Sequence, residues 1–139
     1  MLKESDKTVV RKEFESLTGA VKLINFTQEY ECDYCGDTTQ MLKDVAELSD
    51  KISLETFDFV RDKEIVDKHK VDKIPAIVVT GDVSGAIRFF GIPSGYEFIS
   101  LMDAIKMASS GDSGPDIRTK ETLKRMKKPI HLQVFVTPT

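Results

Sequence analysis

Val21-Lys22-Leu23-Ile24-Asn25-Phe26-Thr27 runs through Gln28-Glu29-Tyr30-Glu31 into Cys32-Asp33-Tyr34-Cys35. The first seven residues are short and rich in apolar side chains, the signature of a buried strand. Beyond the cysteines, Met41, Leu42, Val45, Ala46 and Leu48 recur at the spacing of one helical face, which predicts a helix over about Tyr34 to Ser49. The reading is therefore a strand that delivers two cysteines to the mouth of a helix. Asn25-Phe26-Thr27 matches a glycosylation acceptor, but inside a buried strand the match is a chance one.

Working outward, Ile52 to Phe59 alternates apolar and polar residues and reads as a strand; Arg61 to Lys70 is a charged amphipathic helix carrying Ile65 and Val66. Ala76 to Thr80 is an apolar strand, Gly81 to Gly85 is turn material, and Ala86 to Phe90 closes a hairpin. Phe98, Leu101, Met102, Ile105 and Ala108 mark a helix from about Tyr96 to Ser109. Upstream, Val10, Phe14 and Leu17 share a helical face in residues 4 to 17, with Thr18-Gly19 expected to cap that helix in the left-handed conformation. A leading helix followed by β-α-β-α-β-β-α requires an α/β fold: a central mixed sheet flanked by helices on both faces. The first three strands are joined by helical crossovers, so none of those joins is a hairpin.

Ser109 to Pro115 has linker composition, and a short basic helix follows over about Ile117 to Lys127. The run His131 to Thr139 is strand-like, and Leu132-Gln133-Val134-Phe135-Val136 repeats the pattern of Leu23-Ile24-Asn25-Phe26-Thr27. This divides the chain into a first unit over 1–109, a linker with a short helix over 110–128, and the first strand of a second, truncated unit over 129–139. A strand left without a sheet must fold back or pair with another copy, giving a homodimer through the terminal strand.

The 139 residues are one domain's length, enough for a core without disulfide stapling. With 20 Lys+Arg against 23 Asp+Glu the net charge is −3, which argues against nucleic acid as a partner. The longest apolar run, Ile74 to Val79, is too short to span a membrane, and the charged start holds no signal-peptide core. The expectation is a cytoplasmic protein.

Two cysteines in a single C-x-x-C point to redox or metal chemistry rather than to a secreted scaffold. Held at a helix N-terminus, Cys32 is favoured as a thiolate and so as nucleophile, while Cys35, one turn further in, resolves the mixed disulfide. Glu29, Glu31, Asp33 and Asp37 oppose this, since no Lys, Arg or His lies between Lys22 and Lys43. The expected balance is a thiol only modestly more acidic than a free one and a reducing couple. Structural zinc needs four ligands, and His69 and His131 are isolated, so an intrachain site is disfavoured. A metal shared by cysteine pairs of two chains, and inert buried thiols, also compete with the redox reading. Both histidines read as surface or packing residues. Tyr34 flanks the thiols and Tyr30 lies close by. Pro75 must start its strand or sit at an edge, because it has no N–H to donate.

These residues carry a resemblance. A strand, C-x-x-C opening a helix, then strand, helix and Ile74-Pro75-Ala76 before a hairpin resembles the thioredoxin-like fold. More closely, the chain is similar to the N-terminal half of the protein disulfide oxidoreductases, glutaredoxin-like proteins built from two tandem thioredoxin-like units. The residues concerned are Val21 to Ile24 with Phe26, Cys32-Asp33-Tyr34-Cys35, Ile74-Pro75-Ala76, Phe89 to Phe98 and Val134 to Thr139. The resemblance implies thiol–disulfide exchange with protein disulfide substrates, no cofactor beyond a Cys32–Cys35 disulfide, a thioredoxin-reductase-like electron donor and a second Cys-Pro-Tyr-Cys motif just past Thr139. It also implies a substrate surface of Ile74, cis-Pro75, Ala76 and Tyr34, with Gly91 and Ile92 at its rim. Asp33 stands where glutaredoxins have Pro, and no Gly-Gly-x-x-Asp follows the hairpin, so tight glutathione binding is not expected. The rival class is a non-catalytic thioredoxin-like module for partner binding or electron relay.

Overall fold

The architecture comes from a computed structural model that describes residues 2–83 and 85–136. In chain order its elements are α1 (Glu4–Phe14), β1 (Val21–Thr27), α2 (Cys35–Ala46), β2 (Ile52–Asp58), α3 (Lys63–Lys68), β3 (Ala76–Thr80), β4 (Ile87–Phe90), α4 (Tyr96–Ser110) and α5 (Ile117–Lys124). Through α5 this is the order that the sequence patterning implies. The strands form one mixed sheet in the order β2-β1-β3-β4. β1 runs parallel to β2 and antiparallel to β3, and β3 forms the antiparallel hairpin with β4.

Alternation along β1 builds two cores. Val21 and Leu23 face α1, α2 and α4, joining Phe14, Leu42, Val45, Leu101 and Ile105. Ile24 and Phe26 face the other way, toward Val66 of α3 and Val71. Phe26 is fully buried, its ring 6.0 Å from that of Phe57 and 5.8 Å from that of His69. Because β1 is paired along both edges and covered on both faces, its C-terminal end is a fixed platform for whatever follows it.

α1, α2 and α3 are shorter than the sequence pattern implies, whereas α4 runs one residue longer. α1 stops at Phe14 and α2 at Ala46, each by a cap residue in ordinary right-handed geometry, with Leu17 and Leu48 still buried beyond the helix ends. Gly19 is accordingly not a left-handed cap. It is needed for close approach: a Cβ there would lie 2.6 Å from the carbonyl oxygen of Ser109. That serine, the expected last residue of the helix and first of the linker-like stretch, is helical and buried. Its hydroxyl accepts from the N–H groups of Thr18 and Gly19, both at 2.9 Å, and donates to the Gly19 carbonyl at 2.8 Å. The linker begins at Gly111, which caps α4 with φ 69°.

α1 is fastened to α2 through Asp44. The backbone N–H of Leu2 and the side chain of Gln40 donate to its carboxylate, and Lys7 stands 3.7 Å away. Burial alone would push this carboxyl up, but those hydrogen bonds and the lysine charge hold it below the ordinary carboxylate range.

α5 is capped by Asp116, which accepts from the Thr119 N–H, and buries no residue. Residues 131–136 are exposed and form no strand with the sheet. The last three positions of the expected second-unit strand, Thr137 to Thr139, and Ser84 of the hairpin turn lie outside the described residues. Among the described residues no helix is long and apolar enough to cross a membrane.

Candidate functional site

β1 ends at Thr27, and the chain turns through residues 28–31 to bring Cys32 in front of α2. Glu31, immediately before the first cysteine, has φ 57°, a conformation that a residue with a Cβ adopts only at some cost. Cys32 itself precedes the helix rather than sitting in its first turn. Tyr34 is the N-cap residue, at φ −106° and ψ 3°, so α2 opens on Cys35, whose N–H reaches back to the Cys32 carbonyl at 3.4 Å. The two sulfurs form a disulfide with Cα atoms 5.5 Å apart. Their environments differ: Cys32 is half-buried, whereas Cys35 is 1% exposed.

Sheet register places the second landmark at this same end. Ala76 lies opposite Phe26 on one side and Phe90 on the other, so Pro75 before it and Gly91 after Phe90 fall beside the end of β1 that leads to the cysteines. The Ile74–Pro75 peptide bond is cis, and the Gly91 N–H donates to the Pro75 carbonyl at 2.8 Å. Pro75 and Ala76 are buried; Ile74, Gly91 and Ile92 are partly open, and Tyr34 is exposed. Of these residues, Tyr34, Ile74, Gly91 and Ile92 have free surface toward solvent, while Ala76 is enclosed by the strands on either side.

Glu29, Glu31, Asp33 and Asp37 all border the motif with surface open to solvent. The nearest cation preceding it in sequence, Lys22, is engaged with Glu55 at 2.8 Å. His69 lies on the opposite face of the sheet against Phe26, where burial, and then the charges of Lys68 and Arg88, lower its pKa. His131 is exposed in the terminal segment. Among the described residues no three His, Cys, Asp or Glu side chains converge on a point that would hold a metal ion.

One residue at this site carries no obvious chemical signature in the sequence. Asn25 is completely buried on the α2 face of β1. Its Nδ2 donates to Thr39 Oγ1 at 2.9 Å, and that hydroxyl donates in turn to the Cys35 carbonyl at 2.8 Å. Since the hydroxyl has one proton and directs it to Cys35, it can only accept from Asn25, which fixes the orientation of the amide. The Asn25 Oδ1 is left buried with no hydrogen-bond partner among the described residues. The signal was a polar residue on the Val21-Leu23-Asn25 face of a strand otherwise apolar there.

No protein-family model matches the sequence, and no match to a curated protein sequence was found. Solved structures do match. A protein disulfide oxidoreductase from Aeropyrum pernix K1 superposes with a TM-score of 0.81 at 26% identity, over 91% of this chain and 56% of that one. A mutant of the alkylhydroperoxide reductase protein AhpF from Enterococcus faecalis gives 0.77 at 23% identity, over 91% of this chain and 62% of that one. Thioredoxin from Fasciola hepatica gives 0.54 at 18% identity, over 73% of this chain and 92% of that one. The chain thus spans under two thirds of the two larger neighbours and most of a single thioredoxin. A mixed four-stranded sheet flanked by helices, these neighbours and a C-x-x-C disulfide at the end of the central strand lead to one conclusion: the chain is a thioredoxin-like redox module.

Proposed function

We propose that this module is a thiol–disulfide oxidoreductase acting on protein disulfides. In the reduced protein, the Cys32 thiolate attacks one sulfur of a substrate disulfide, forming a mixed disulfide and releasing the other substrate sulfur as a thiolate that takes up a proton. Cys35 then loses its proton and attacks Cys32, breaking the mixed disulfide and releasing the second substrate thiol. Two electrons pass to the substrate, and the protein is left with the Cys32–Cys35 disulfide. The observation that carries the assignment of roles is the burial asymmetry: a disulfide partner can reach half-buried Cys32, whereas Cys35 is enclosed. Tyr34, Ile74, Gly91 and Ile92 supply the surface against which the substrate segment lies, with Pro75 behind it.

The test is insulin reduction driven by a dithiol. Cys32→Ser should abolish it, and Cys35→Ser should accumulate a mixed disulfide that mass spectrometry detects. Activity retained in Cys32→Ser would remove this reading. The same fold in an alkylhydroperoxide reductase protein supports a second reading, electron relay to an attached or partner domain. A Cys32–Cys35 disulfide that a reductase reduces, with no turnover of protein disulfides, would select it. In either case the electron donor proposed is a thioredoxin-reductase-like protein. The exposed apolar segment 130–136, together with the span of the Aeropyrum protein, supports its assignment as part of a second unit's first strand.

A further inference from the structure

A groove of about 760 Å³ runs between α1, the start of α2 and the N-terminal half of α4. Its walls are largely apolar, including Met41 and Phe98, and two of its wall residues are left open to water: Val9 is 60% and Ile99 57% exposed. Four carboxylates, Asp6, Glu13, Asp37 and Asp103, stand on its rim with one cation, Lys106. That lysine is already bound to Asp103 at 2.8 Å and to Glu13 at 3.1 Å. Asp6 and Asp37 have no ion-pair partner among the described residues, so the rim carries unanswered negative charge.

The groove adjoins the redox site through Ile92, a residue of both. Asp37 is on the first turn of α2, two residues after Cys35, and Ile92 follows Gly91, whose N–H is bonded to Pro75. The four acids around the cysteines extend the same negative field to the sulfurs. A polypeptide seated in the groove would therefore reach the disulfide while facing carboxylates along its path.

We propose that this groove docks the protein partner of the redox site, taking an apolar side chain of a segment whose neighbouring Lys or Arg residues meet Asp6 and Asp37. The proposal rests on the disulfide-exchange reading and adds to it the class of partner: apolar and basic rather than acidic. A second copy presenting the same face would set these carboxylates against one another, which disfavours that occupant. Opposite charge at a rim acts mostly on the association rate and is screened by salt.

The experiment follows the reduced protein reacting with two synthetic disulfide peptides of equal length, both carrying the same Leu and Phe residues, one flanked by lysines and one by glutamates. Hydroxyethyl disulfide serves as a small neutral control. At low ionic strength the basic peptide should react about tenfold faster, an advantage that about 0.5 M salt largely removes. Asp6→Lys and Ile99→Lys, both at positions open to solvent, should each slow the basic peptide about fivefold and leave hydroxyethyl disulfide unaffected. Equal rates for the two peptides, or no effect of either variant, with the control still consumed, would overturn the docking proposal and leave the redox reading standing. Failure to consume the control would bring down the redox reading and this proposal with it. A dimer in sedimentation that Ile99→Lys converts to monomer would assign the groove to a second copy and also overturn the proposal.

Discussion

Where β1 begins, Ser109 ties three backbone groups of Thr18 and Gly19 to the end of α4, and Gly81 lets the β3 exit press against the Ala108 carbonyl. Where β1 ends, the chain passes through Glu31 at positive φ, two exposed tyrosines and a cluster of acids around the sulfurs. The first end has few conformations open to it and many bonds; the second has solvent access and local strain. If the proposed chemistry belongs to the second end, substitutions at the two ends should separate stability from reactivity.

The largest effect should come from Ser109→Ala. It removes three part-buried hydrogen bonds and takes this partner from the Thr18 N–H and the Gly19 carbonyl, while the Gly19 N–H keeps the Ser109 carbonyl at 3.1 Å, a loss of about 3 kcal/mol in urea unfolding. The disulfide-exchange rate of the folded fraction should be unchanged; a slowed rate would break the division. Gly81→Ala comes next. Its Cβ would stand 2.4 Å from the Ala108 carbonyl oxygen, and relieving that overlap should cost about 2 kcal/mol, read as a lowered denaturation midpoint.

Asp44→Asn sharpens the comparison through pH. The folded carboxyl is held below its ordinary value, so its contribution is complete above the unfolded-state value and is lost as pH falls through the lower folded one. The variant should cost about 1 kcal/mol at neutral pH. Its stability should then decline less than that of the parent protein as the solution is acidified below the ordinary carboxylate range. A parallel decline in both proteins would show that Asp44 is not the group responsible. Smallest is Glu31→Gly at the reactive end. It relieves a positive φ and removes a charge beside Cys32, so stability should stay within about 1 kcal/mol of the parent protein while alkylation of reduced Cys32 rises a few-fold. A large loss of stability would mean that this end, too, supports the fold.

The sequence made the element order legible because each element carries its own periodicity: Met41, Leu42 and Val45 mark α2 without reference to anything distant. The cysteine pair was legible for the same reason. What escaped depends on partners far along the chain. Ser109 reads as the junction of helix and linker, with no anchoring role, until its bonds to Thr18 and Gly19, about 90 residues away, are seen. Asn25 passes for a chance motif until Thr39 is placed beside it. Helix ends were overestimated because Leu17 and Leu48 are buried by packing after their helices have already stopped.

β1 occupies an interior place in the sheet, joined to β2 and β3 before the chain leaves toward the sulfurs. Residues 28–33 therefore form a cassette mounted on a finished chassis, while Tyr34 is tied to α2 as its cap. The composition of residues 28–33 should be open to change without renegotiating how the polypeptide folds.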